Sequence, residues 1–215
     1  MDFVHVVRPP REPPPEGGWR LRAAQKDSWG DLTFGRNDEE SRERLRELIL
    51  YIADISRNDP DFGAMKLNKL LFYADFISFA QNGRPLTHAQ YQKKPHGPVP
   101  TSIDSLKVEM EANRDAAVVR EGLAPYTQQR VLPLREARID EYFTPSEIAL
   151  VDEVVRTLRG LTATQVSEMS HEFAWQIAGD YDLIPYDAVF LYDRELSDKE
   201  IARAHELAAK FEWNV

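Results

Sequence analysis

The stretch YQKKPHGPVP, Tyr91 to Pro100, packs three prolines, one glycine and one histidine into ten residues. A histidine there has the right side chain for acid–base work near neutral pH, provided a carboxylate or hydroxyl stands beside it. A second one, His171, lies in SEMSHEFAW four residues before Trp175, a spacing that puts both on one helical face. Lys66 and Asp75 add two charges inside the apolar run MKLNKLLFYADFISFAQNG. A small hydrolase would gather His96, His171, Asp75 and Glu172 around one pocket. The spacing does not favour it. None of His5, His88, His96, His171 and His205 are three or four residues apart, so the helical metal-site pattern is absent. Ser170 and His171 are helical neighbours that point in different directions. No G-x-S-x-G elbow, Gly-rich phosphate loop or Walker lysine occurs. No catalytic, cofactor-binding or metal-ligating residue is therefore assigned, and no cofactor is expected. The plainer readings are that Lys66 and Asp75 each snorkel to water or pair structurally and that His171 sits hydrogen-bonded beside a core aromatic. YQKKPHGPVP is then a hard corner, or a pre-organised recognition surface that loses little entropy on binding.

The elements that would position these residues are mostly helical. In NDEESRERLRELILYIADIS, Leu45, Leu48, Ile49 and Ile52 follow the i, i+3, i+4, i+7 stripe. MKLNKLLFYADFISFAQNG carries Leu67, Leu70, Leu71, Ala74 and Ile77, widened by Phe72, Phe76 and Phe79, which marks a central buried helix stopped at Asn82-Gly83. Thr101 and Asp104 suggest a capped helix through SLKVEMEAN. Val118–Glu121 and Arg130–Leu134 read as a β-hairpin. Thr144-Pro145-x-Glu147, Thr162-x-x-Gln165 and Ser197-x-x-Glu200 each open a further helix. The expected fold class is mainly α with a small β-hairpin (α+β), a compact single-domain helical bundle. Residues 1–39 form an N-terminal arm with the proline run RPPREPPPEGG and the apolar Trp19, Trp29 and Phe34. Residues 40–190 form the domain, and residues 191–215 an acidic C-terminal helix that packs on it or extends it.

The bulk numbers limit the partners. The net charge is −9, and residues 140–215 hold the excess, with 16 Asp/Glu against 6 Lys/Arg. Such a surface repels phosphate backbones and steers basic partners inward, so direct nucleic-acid binding is not expected. With no cysteine there is neither disulfide nor thiol chemistry. No apolar run is long enough for a membrane span and no secretory signal opens the chain, so the expected location is cytoplasmic.

Taken in order, K-L-x-K-L-L-x-x-A-D (Lys66 to Asp75), Gly83, Tyr91, the corner His96-Gly97-Pro98-Val99-Pro100 and Ser167-x-x-x-His171-x-x-x-Trp175 resemble the Panacea, or SocA-like antitoxin, domain over roughly residues 40–190. The resemblance implies no enzyme but a bacterial or phage antitoxin. Its partner would be a cognate protein toxin encoded by the adjacent gene, neutralised by direct contact. One branch of the family acts instead as an adaptor delivering its toxin to a cytoplasmic protease. On this reading Lys66, Asp75, Tyr91, His96, Gly97, Pro98, His171 and Trp175 are signature and partner-binding positions. Trp19, Trp29 and Phe34 are toxin contacts of the arm.

Overall fold

The computed structural model describes residues 32–122, 128–169 and 178–190 of the 215. Trp19, Trp29, the proline run, His171, Trp175 and the helix expected from Ser197 lie outside these residues. Helix α1, Glu39–Ile55, starts where the Asp38 carboxylate accepts a 2.9 Å bond from the Ser41 N–H, with Glu39 and Glu40 in the positive first turn. Its stripe residues Leu45, Leu48, Ile49 and Ile52 are fully buried. Helix α2, Ala64–Asn82, is apolar around its circumference because it has neighbours on every side: α1, and the elements introduced below as α5, α6, β2, β4 and the 3-10 turn. It stops at Gly83, whose φ of 71° is the left-handed cap that glycine adopts freely.

The stretch expected as a corner is a complete β-hairpin. Strand β1, Tyr91–Lys94, pairs antiparallel with β2, Gly97–Pro100, and on its other side with the two-residue β5, Leu183–Ile184. The three-stranded order is β2-β1-β5. Helix α3, Ile103–Ala112, follows with Ser102 as N-cap and no side-chain cap bond. The capping box expected at Thr101 does not form, because the Thr101 N–H already donates to Gln90 O at 2.8 Å and so continues the hairpin ladder. Strands β3, Ala116–Glu121, and β4, Gln128–Pro133, form the second expected hairpin, in register from Ala116↔Pro133 to Glu121↔Gln128. A single turn α4, Ile139–Tyr142, leads into α5, Pro145–Leu158. There Thr144 and Glu147 close the expected capping box. Thr162 and Gln165 open α6, Ala163–Met169, in the same way. A 3-10 turn, Tyr186–Phe190, follows β5.

Among the described residues the fold is thus mixed α+β: six helices with α2 at the centre, and two small antiparallel sheets, with one hydrophobic core. Tyr91 joins sheet to helix, its ring edge-on to Phe72, Phe76 and Tyr186 at 5.6 to 6.2 Å. Thr33 and Arg36, within the segment read as an arm, bond to Tyr186, Asp187 and His88. Among the described residues no helix is long and apolar enough to cross a membrane.

Candidate functional site

On an α-helix, positions three apart stay on neighbouring sides and positions nine apart are opposite. Lys66 and Lys69 therefore share one side of α2, and Asp75 faces away from them. All three are buried, at 1%, 1% and 0% exposure, where a charge requires partners. Lys66 Nζ donates to Asp59 Oδ2 at 2.6 Å and to Leu161 O at 2.8 Å, tying the α1–α2 loop to the α5–α6 loop through α2. Asp75 accepts three bonds: from Thr87 N (2.7 Å), Thr87 Oγ1 (2.5 Å) and Tyr91 Oη (2.8 Å). Thr87 Oγ1 in turn accepts from Ala89 N. One carboxylate thus fixes the whole approach to β1. Burial pushes the Asp75 carboxyl up to about 6, although its bonds from Thr87 and Tyr91 pull the other way. Burial and the neighbouring Asp75 raise the Tyr91 hydroxyl, which stays protonated as the donor. Lys69 differs from both: among the described residues its Nζ has one hydrogen bond, to Pro98 O at 3.4 Å, and burial lowers it to about 8.

The prolines of the hairpin follow from its ladder. With Gln92 opposite Val99 and Lys94 opposite Gly97, the even residues of β1 bond to β2, as the Thr101–Gln90 bond confirms. Pro98 and Pro100 therefore stand where an N–H would point away from β1, the only ladder positions a proline tolerates. Val99 and Gly97 supply the donors between them. Pro95 presets the first turn residue, and Gly97 takes a φ of 99° that closes the two-residue turn. Lys69 meets the carbonyl of Pro98 on the hairpin's outer edge, and Ser167 Oγ on α6 donates to His96 O at 2.7 Å. The hairpin is thus clamped from below by α2 and α6, while Pro95 and the His96 side chain at its tip are exposed.

The odd residues of β1 turn to β5: Lys93 N donates to Asp182 O, and Tyr181 N to Lys93 O. Lys93 Nζ reaches Ala178 O at 2.8 Å and Asp180 at 3.6 Å. The bond from Asp182 N to Gly179 O closes a β-turn whose third residue, Tyr181, has a φ of +66°. Glycine or asparagine is usual at that position, and a bulkier side chain there costs about 1 kcal/mol. The tyrosine is held there 57% exposed as a residue, with the Lys94 ammonium 4.7 Å from its ring centroid.

A family model described as the antitoxin SocA-like, Panacea domain matches residues 67–176, just over half of the chain. The chain belongs to the SocA-like, Panacea domain family. No curated protein and no solved structure matches it. Membership in this antitoxin-like family supports a role in a toxin–antitoxin system.

The Panacea signature now has positions. Lys66, Asp75, Tyr91, Gly97 and Pro98 are buried in one construction around α2, and His96 stands exposed at its edge. Phe34 is half-buried. His171 and Trp175 fall outside the described residues, although their α6 neighbour Ser167 holds the hairpin tip. The hydrolytic arrangement is not assembled by the residues described. Asp75 is spent on Thr87 and Tyr91, and the end of β1 is already ~10 Å beyond Tyr91 on the way to His96. No group of three or more His, Asp or Glu able to hold a metal occurs among the described residues. Sequence reasoning passed over Lys69, Thr87 and Tyr181. Lys69 stood inside the motif, and a second lysine in an all-apolar helix was a usable signal. Thr87 and Tyr181 carried none, because their roles depend on chain reversals distant in sequence.

Proposed function

We propose that this Panacea protein is an antitoxin that neutralises a cognate protein toxin by direct binding, not by catalysis. One observation carries the reading. The polar signature residues Lys66, Asp75 and Tyr91 are bonded inside the fold, whereas the hairpin they support presents Pro95, His96 and the neighbouring Tyr181 to solvent. Buried, satisfied charges build a rigid platform, and a rigid platform with exposed aromatic and proline residues is suited to protein recognition. The acidic residues 140–215 favour a basic toxin surface. Trp19 and Trp29 of the N-terminal arm would add aromatic anchors, with Phe34 at its base.

The test is co-expression with the product of the adjoining reading frame. Growth should be restored, and the two proteins should co-purify. Continued arrest at equal expression would overturn the reading. Disappearance of the toxin that depends on a cytoplasmic protease would replace blocking with adaptor delivery. Deleting residues 1–31, which spares the Thr33 bond to Tyr186, should weaken rescue if the arm contacts the toxin.

A further inference from the structure

We infer that the turn and edge strand Gly179–Leu183 form the docking surface for an extended, basic segment of the toxin. The inference rests on the antitoxin reading and adds to it a place and a chemistry. Three independent features of the segment converge.

The first is an open edge. β5 ends the β2-β1-β5 sheet, and its register with β1 turns the backbone of Ile184 and the carbonyl of Asp182 toward β1. The backbone N–H and C=O of Leu183 then point to the outer side, where no strand pairs with β5 among the described residues. An unpaired sheet edge with open donors and acceptors is where a partner's extended chain adds a strand. β2, at the opposite edge, cannot serve: Pro98 and Pro100 offer no N–H there, and Lys69 already approaches the Pro98 carbonyl.

The second is the tyrosine. Tyr181 occupies a left-handed position that glycine would fill without strain, and it exposes most of its ring. Its backbone is fixed on both sides, by Lys93 O and by the Gln92 amide that donates to Tyr181 O. An outlier held this firmly points to use of the side chain, and a rigid exposed tyrosine is a frequent interface anchor.

The third is charge. Asp180 is 84% exposed and Asp182 is exposed, one on either side of Tyr181. Lys93 takes up part of the Asp180 charge at 3.6 Å, and Lys94 lies over the ring. Lys94 thus covers one face of the ring from within the chain, and the carboxylates flanking the ring favour a guanidinium or ammonium from the partner. The excess of 16 acidic over 6 basic residues from 140 onward acts in the same direction at longer range.

The experiment measures binding of the purified full chain to the product of the adjoining reading frame, with growth rescue in parallel. Tyr181→Gly removes the ring and relieves the backbone, so its melting temperature should be unchanged or higher while affinity falls at least tenfold. Leu183→Pro removes only an outward donor and should weaken binding likewise. Asp180→Lys with Asp182→Lys should reduce affinity most at low salt, whereas Glu153→Lys on α5, which reverses one exposed acidic charge elsewhere, should not. Wild-type affinity in a folded Tyr181→Gly protein would overturn the surface while leaving the antitoxin reading intact. Failure of the wild-type chain to bind or rescue would overturn both. Should Leu183→Pro not fold, the glycine variant still decides.

Discussion

Tyr91 stands in a strand of one small sheet and Tyr181 in the turn that leads into its edge strand, and the two meet opposite conditions. Tyr91 is buried, its ring set among Phe72, Phe76 and Tyr186 and its hydroxyl spent on Asp75. Tyr181 is mostly exposed, strained at φ +66°, and has its ring beneath Lys94. Alternation along β1 separates the two environments: Tyr91 and Lys93 turn inward, Gln92 and Lys94 outward. The inner side holds most of the family signature; of its described residues Gly83 and His96 are exposed. Signature residues in this domain thus report how the platform is built, and the residues that meet a partner are to be sought on the other face.

The comparison is broken most directly at Asp75. Asp75→Ala leaves the Thr87 N–H, the Thr87 hydroxyl and the Tyr91 hydroxyl without their acceptor in a dry interior. It should cost about 3–5 kcal/mol in urea denaturation. That corresponds to a melting temperature lower by roughly 10 °C for a chain of this size. Asp75→Asn retains one acceptor and should cost less. A second buried carboxylate, Glu47, sharpens the point. It accepts from Arg135 at 2.7 and 2.9 Å and from the Arg138 N–H at 2.8 Å. Its arginines are 30% and 46% exposed, so water screens part of the pairing. Glu47→Ala should cost about 2–3 kcal/mol, less than Asp75→Ala, in the same titration.

Why Asp75 and not Tyr181 was legible follows from the range of the interactions. The helices could be read because their signals are local: the apolar stripe of α1, the capping pairs Thr144–Glu147 and Thr162–Gln165, the glycine after α2. The character of α2 marked Lys66 and Asp75 as charges in need of partners, but which partners was hidden, since Leu161 lies 95 residues from Lys66. The hairpin was read as a corner because prolines argue against a strand. Only the pairing parity shows that Pro98 and Pro100 fall where no donor is needed. β5 has two residues and no periodicity to detect. Tyr181 became a candidate through a dihedral angle, which composition does not encode.

The pH dependence separates the buried groups from one another. Asp75 is raised to about 6, so the stability it contributes is complete below its unfolded value near 4 and is lost as pH rises through 6. About 2–3 kcal/mol is at stake over that interval. For Glu47, burial alone would push the carboxyl up, but hydrogen bonds from Arg135 and Arg138 outweigh it and hold it at about 2. Its contribution is present above about 4.5 and is lost as pH falls toward 2. Urea midpoints taken from pH 3 to 7 should therefore pass through a maximum between pH 4 and 5. In Asp75→Asn the decline from 4 to 6 should disappear. Lys69 acts at the alkaline end: lowered to about 8, it releases its proton earlier in the folded state, so stability should rise from pH 8 toward 10.5. Since among the described residues its ammonium has only the 3.4 Å bond to Pro98 O, Lys69→Met should be neutral or stabilising by about 1 kcal/mol and should abolish that rise. A loss of 2 kcal/mol or more would show that the lysine is a true strut, like Lys66.

The smallest expected change in stability belongs to the outer face. Tyr181→Gly removes a half-exposed ring that packs on nothing deeper than Lys94 in the described contacts, and it relieves a left-handed backbone. The cation–π contact at an exposed site is worth about 0.5 kcal/mol, against about 1 kcal/mol of strain. Greater freedom of glycine in the unfolded chain removes part of the gain. The net should lie within about 0.5 kcal/mol of zero, measured by the same urea midpoint. A destabilisation of 2 kcal/mol would make Tyr181 a structural residue like Tyr91, and the contrast between the two faces would then reduce to depth of burial.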